Sequence, residues 1–298
     1  MTSRYDQLIA DLRAERRPQR EWGDGRGLLM VVGHFLVGVA GGTWVLSSVY
    51  GDTTALMVAW VLGALGGVAH LLFLGRPERA LNMVRHVRTS WISRGFVGLS
   101  MLLVGGALAL SHMAAGVDGA PLATVGNVIA AIGAVTVIGY MGFCYTASKA
   151  IPFWHSPLHP AIYIAYALRG GIAVLLVLAA TRDAGAATTL LQLWLGCTLV
   201  VALFVGLEMH GALTGESIAA RWSARDVLAG RLSTAFYGGT LALGVIVPLA
   251  LLGTAWTGTP AVVALVGLAS VAGDFFMKLS TVKAGVYRPL RVPTRRPI

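Results

Sequence analysis

Apolar residues run along this chain in long blocks separated by short polar, mostly basic segments. Eight blocks of eighteen or more residues fall at about 27–49, 54–75, 95–114, 122–148, 159–181, 186–211, 233–254 and 259–285. At about 1.5 Å per residue, each is long enough to cross a hydrocarbon core roughly 30 Å thick. The pattern predicts an all-α integral membrane protein with eight transmembrane helices, arranged as two four-helix bundles. The 149–158 segment separates the halves, and 212–232 is the longest basic-side loop without an apolar span. Three regions result: residues 1–26 ahead of the first span, a transmembrane domain over 27–285, and a basic tail over 286–298. Glycine pairs recur inside the spans, as at Gly41-Gly42, Gly66-Gly67 and Gly170-Gly171, where small residues let helix backbones approach in lipid.

Composition narrows the class. The chain is 56% hydrophobic and 12% charged, with a mean hydropathy of +0.73, which excludes a soluble globular protein. The first 26 residues carry eleven charges and no apolar core, so no signal peptide is expected; they read as an amphipathic or irregular segment. Both cysteines, Cys144 and Cys197, fall inside predicted spans. That excludes a disulfide framework, a four-cysteine zinc site and an iron–sulfur cluster held by this chain alone.

Charge sets an expected orientation. With eight spans, both termini and the even-numbered loops share a side, and that side carries nearly every Lys and Arg. The other side offers Asp52, Asp118 and Arg182 beside Asp183. The positive-inside rule then places both termini in the cytoplasm, in a bacterial inner membrane. The net charge of +10 is a topology signal, and no nucleic-acid partner is expected. The 76–94 segment holds Arg76, Arg79, Arg85, Arg88 and Arg94 with a single glutamate. It reads either as a docking surface or as a basic loop against anionic lipid.

Polar residues inside the spans need a reason, since each charge costs about 2.5–3.5 kcal/mol on insertion scales. His34 on the first span and Tyr140 on the fourth sit at similar depth, about 12 Å from the basic edge. Together they suit the two carbonyl oxygens of a quinone and its proton exchange. The alternative is a histidine bonded to a backbone carbonyl and a tyrosine that merely packs. Arg169 lies mid-span; Asp274 and Lys278 share a face one turn apart, and Glu208 and His210 end the sixth span. These form either a self-neutralising salt-bridge network, with Asp274 the partner of Arg169, or a proton path. Haem would need facing histidines, yet His34, His70 and His210 cluster toward one side and only His112 nears the other.

Two loops resemble a known family. His70-Leu71-Leu72-Phe73-Leu74-Gly75-Arg76-Pro77-Glu78-Arg79-Ala80 with Arg88-Thr89-Ser90-Trp91-Ile92-Ser93-Arg94 is similar to the second-to-third helix loop of NrfD-like membrane anchors of polysulfide and dimethyl sulfoxide reductases. Cys144-Tyr145-Thr146-Ala147-Ser148-Lys149 through Trp154-His155-Ser156-Pro157-Leu158 resembles that family's loop after helix four, and the entry Glu21–Gly27 and the ending Gly273–Lys278 are similar to the family's own entry and ending. The resemblance implies a subunit without haem or iron–sulfur cluster of its own, binding menaquinone or ubiquinone. Its implied partners are a ferredoxin-like iron–sulfur subunit and a molybdopterin catalytic subunit, alongside membrane lipids. By that likeness His34 and Tyr140 hold the quinone, with Trp91 and Tyr145 as pocket walls. Glu208, His210, Lys278, Asp274 and Arg169 would serve proton relay, and the five arginines of 76–94 would dock the partner. Arg169 departs from the uncharged residue expected there. The cytoplasmic docking face favours a cytosolic substrate, as in the family's sulfite-oxidising branch. The rival reading is a small-solute or ion transporter with Arg169, Asp274 and Lys278 as its site.

Overall fold

A computed structural model describes residues 14–50, 52–114, 121–181, 184–256 and 258–290, with residues 5, 6, 9 and 12 ahead of them. Nine helices are seen among these residues: α1 Gly27–Tyr50, α2 Thr53–Phe73, α3 Trp91–Ala114, α4 Pro121–Thr146, α5 His159–Ala179, α6 Ala184–Thr214, α7 Ile218–Ala229, α8 Ala235–Ala255 and α9 Pro260–Lys283. Eight of them, all but the short α7, are long and apolar enough to cross a membrane. The protein is therefore an all-α, multi-pass membrane protein. Residues Arg4, Arg13, Asp118, Arg182, Asp183, Arg291, Arg295 and Arg296 of the charge pattern, and the tail beyond 290, lie outside the described residues.

Local chemistry explains the helix starts. Asp52 caps α2 by accepting from the Ala55 N–H at 3.1 Å. Pro121, Pro160 and Pro260 stand in the first turns of α4, α5 and α9, where a missing N–H costs nothing. Two expected loops are more ordered than the sequence suggested. The 76–94 segment holds a 3-10 helix over Pro77–His86, and Trp91–Arg94 form the first turn of α3. The 212–232 segment contains α7, whose start is capped by Ser217.

The core centres on α1 and α5. In each, 67% of the apolar window is buried, against 28% in α2 and α6, which face outward. Glycine lets these two helices touch backbone to backbone: a Cβ on Gly42 would lie 1.9 Å from the Ala167 carbonyl oxygen. Around them, α1 also packs on α2 and α4, α3 on α4, α5 on α6 and α9, and α8 on α9.

α8 winds as a wider π-helix over Ala235–Ile246 before tightening at Val247. Pro248 follows at once and has no N–H to offer the carbonyl four residues back, that of Gly244. At the basic end, Arg17–Pro18 (β1) pairs antiparallel with Val286–Tyr287 (β2). Gln19 donates to the Val282 carbonyl at 2.9 Å, and Asp226 of α7 binds Arg16 and Arg231. The segments before α1 and after α9 are thus tied to each other and to α7.

Candidate functional site

A cavity of about 470 Å³ opens near the basic end, among α1, α2, α3, α4 and the 3-10 helix. Its inner end is lined by Trp22, Met30, His34, His70, Tyr140 and Cys144, and its roof by Ala80 and Met83. Most of this lining is apolar, and its polar groups converge. His34 is 8% exposed, and its Nδ1 has no hydrogen-bond partner among the described residues. The His70 ring lies 4.8 Å from the His34 ring. His70 Nδ1 meets the Gly66 carbonyl at 2.8 Å, and a carbonyl only accepts, so that nitrogen carries the hydrogen. The Nε2 of a neutral His70 then presents a lone pair, with no partner among the described residues.

Tyr140 stands edge-on to His34, with ring centroids 6.1 Å apart. Its position follows from Gly95 on α3, where a Cβ would come within 2.3 Å of the tyrosine ring. Any side chain there displaces Tyr140. On its far side, Tyr140 also lines a second cleft of about 380 Å³ between α3 and α4.

The remaining predicted wall residues sit elsewhere. Trp91 lines that second cleft, stacked on Phe143 at 4.4 Å. Tyr145 lies behind His34, at 6.3 Å between rings, within an aromatic stack. There Trp22 stacks on Trp154 at 5.2 Å, and Trp154 meets the Tyr145 ring at 5.0 Å and donates to the Thr281 carbonyl at 3.0 Å. Of the five loop arginines, Arg76, Arg79, Arg85 and Arg88 are exposed. Arg94 is not free: it donates to the Val87 and Arg88 carbonyls at 3.0 and 2.9 Å and lies 4.1 Å above the Trp91 ring.

A buried polar network starts behind the cavity. Lys278 of α9 donates to the His34 backbone carbonyl at 3.2 Å and sits 4.7 Å over the Tyr163 ring. Tyr163 stacks on His159 at 5.6 Å, and His159 Nδ1 meets the Glu208 carboxylate at 2.5 Å. One turn before Lys278, Asp274 is paired with Arg169. Arg169 is fully committed: Nε donates to Thr198 at 2.9 Å, one Nη to Asp274 and the other to the Gly244 carbonyl, and the Trp194 ring lies 5.3 Å away. It thereby joins α5, α6, α8 and α9. Asp274, Lys278, Tyr163 and Tyr166 border a small cavity of about 20 Å³. His210 is exposed on the outer face of α6.

The segments whose sequence resembled a family thus meet around one cavity: Trp22 from the entry, His70 and Ala80 from the second loop, Cys144 from the end of α4, and Lys278 behind. A family model described as polysulphide reductase, NrfD, matches residues 26–289. The chain belongs to the NrfD family. It is also 30% identical over 166 residues to the protein NrfD of Escherichia coli (strain K12), a match covering 51% of this chain and 50% of the relative. The chain spans about half the length of that curated relative.

Sequence reasoning weighed His70 only as a haem ligand, although it lies in the last turn of α2, where its ring comes 4.8 Å from that of His34. His159 was overlooked because it precedes Pro160 and reads as a helix boundary. Tyr163, Trp194 and Thr198 carry no local signal at all; only packing across helices far apart in sequence gives them partners.

Proposed function

We propose that this protein is the quinone- or quinol-reactive membrane subunit of an oxidoreductase complex. In this reading it exchanges electrons between the quinone pool and an iron–sulfur subunit, which serves a molybdopterin catalytic subunit. The observation that carries the reading is the His34–His70 pair, a buried and a half-buried imidazole whose unpartnered ring nitrogens, themselves buried, lie at one largely apolar cavity. A volume of about 470 Å³ lies in the range of small-molecule sites, roughly 300–1,000 Å³. The residues fit the group: a quinone presents two acceptor oxygens and a quinol two hydroxyls, and neutral imidazole serves either by tautomer. When bound, the quinone supplies two-electron, two-proton redox chemistry. His34 and His70 hold or move a proton at its oxygens, Tyr140 closes the α3–α4 side, and the apolar lining excludes water. Lys278 fixes the α1 backbone at His34, and with Glu208 and His159 it offers a buried route for protons.

The 3-10 helix supports the partner assignment. Ala80 and Met83 roof the cavity while Arg76, Arg79, Arg85 and Arg88 face outward. A protein with an acidic face docked there would stand one helix away from the ring. The basic face is assigned to the cytoplasm of a bacterial inner membrane by the positive-inside rule. The transporter reading is disfavoured, because Arg169 is spent on protein partners and the adjoining cavity of about 20 Å³ holds roughly one water.

Mild-detergent purification of the tagged protein, with mass spectrometry of co-eluting proteins and extracted lipids, tests this. Co-elution of an iron–sulfur protein, a pterin-containing subunit and a quinone is expected. A lone chain without quinone would overturn the reading.

A further inference from the structure

The cavity does not end at the histidines. Its lining continues along Ala64, Gly67, Val68 and Leu71 of α2, spaced three and four apart so that they share one face, opposite Leu99 and Leu103 of α3. Three lining residues are open to the lipid-facing surface: Val68 at 52%, Leu71 at 43% and Ile92 at 51% exposure. The cavity therefore reaches the outside of the bundle between α2 and α3. Its other flanks are closed: α1 is buried behind it, and the Tyr140 ring fills the gap that Gly95 leaves toward α4.

The slot also has a defined far end. The Trp60 indole N–H donates to the Leu103 carbonyl at 2.8 Å and ties α2 to α3 there. From His70 to Trp60 is ten residues, or about 15 Å along the helix. What results is an apolar slit that starts at two buried, polar ring nitrogens and runs toward the bilayer interior. Gly67 sets its width: a Cβ at that position would touch Leu99 at 3.5 Å and Leu103 at 3.9 Å, and anything larger fills the opening.

We propose that the α2–α3 slit is the lateral portal through which the isoprenoid tail of a membrane quinone lies, so that the ring enters from the lipid and the tail stays between α2 and α3. This rests on the quinone reading above. A polar ring on a long hydrocarbon tail matches both halves of the space, whereas a water-soluble redox molecule has no use for an apolar slit open to lipid. Gly67 and Val68 then determine selectivity by tail length, while His34 and His70 act on the ring.

The test uses the purified full-length protein and pairs of quinones that differ only in the tail: menadione against menaquinone-4, and ubiquinone-0 against ubiquinone-2. Gly67→Leu fills the slit from within, and Val68→Trp covers it from its lipid-facing lip, where a larger side chain disturbs no core packing. Each is expected to weaken binding of the tailed member by about tenfold or more, about 1.4 kcal/mol, through the loss of buried methylenes. The tailless member is expected to keep its affinity within about twofold. Equal loss for both members, or no loss for either, with normal binding to the unaltered protein, would overturn the portal alone. Failure of the unaltered protein to bind any of the four would overturn the quinone reading and the portal with it.

Discussion

The Arg169–Asp274 pair allows a sharp stability prediction. Both side chains are buried, at 1% and 3% exposure. Arg169→Met leaves Asp274 as a carboxylate without its guanidinium. Asp274→Leu leaves a buried guanidinium that still donates to Thr198 and the Gly244 carbonyl. Asp274→Leu is expected to cost about 3–5 kcal/mol, because it leaves Arg169 and the nearby buried Lys278 with no carboxylate, and Arg169→Met less, because Lys278 one turn away still faces Asp274. The double substitution removes both charges. Thr198 stays satisfied, since its hydroxyl donates to the Trp194 carbonyl at 2.8 Å. The Gly244 carbonyl alone loses a donor, at a cost of about 1–3 kcal/mol. The double variant should therefore be more stable than Asp274→Leu alone, which holds two buried cations and no carboxylate between them. Unfolding titrations in mixed micelles, followed by tryptophan fluorescence, measure all four proteins. Losses that simply add, with the double variant the least stable, would refute the coupling.

Other perturbations probe separate parts of the account. Gly95→Ala places a Cβ within 2.3 Å of the Tyr140 ring and should lower quinone turnover of the purified complex at least severalfold without dissociating it; unchanged turnover would argue against a role for the Tyr140 position. Gly42→Leu must separate α1 from α5, and should abolish accumulation of folded protein in fluorescence-detected size-exclusion runs. If the proposed iron–sulfur partner docks on this face, reversing Arg76, Arg79, Arg85 and Arg88 to glutamate should release it and leave the thermal stability of this subunit nearly unchanged. Retention of the partner would place docking elsewhere. Glu208→Ala strips His159 of its buried carboxylate and should destabilise the fold by roughly 1–3 kcal/mol, with Glu208→Gln milder because an acceptor oxygen remains.

The spans were legible because a bilayer demands long apolar blocks, and length and hydropathy are local properties. α7 was not, because its apolar residues are interrupted by Arg221, Arg225 and Asp226 and its twelve residues are too few to read as a span. The 3-10 helix was hidden for a related reason: it faces the cavity with only Ala80 and Met83 and otherwise reads as a charged loop. Asp274 was the expected partner of Arg169 although their sequence depths did not match. The structure joins them because the arginine side chain is long enough to absorb the offset. His210 shows the opposite case. It sits two residues from Glu208 and so points to a different face of α6: Glu208 reaches His159 while His210 faces outward. His70 and His159 needed the fold, since the first gains meaning from the His34 ring on α1 and the second from the Glu208 carboxylate on α6.

The central claim is that the cavity bounded by His34 and His70 holds the quinone ring, and photoaffinity labelling with an azidoquinone tests it most directly. The account predicts adducts on peptides of α1, α2 and α4 that line this cavity, and their loss in the His34→Ala, His70→Ala double variant. Adducts confined to the Trp91 cleft or to α8 and α9, or labelling that survives removal of both imidazoles, would contradict it.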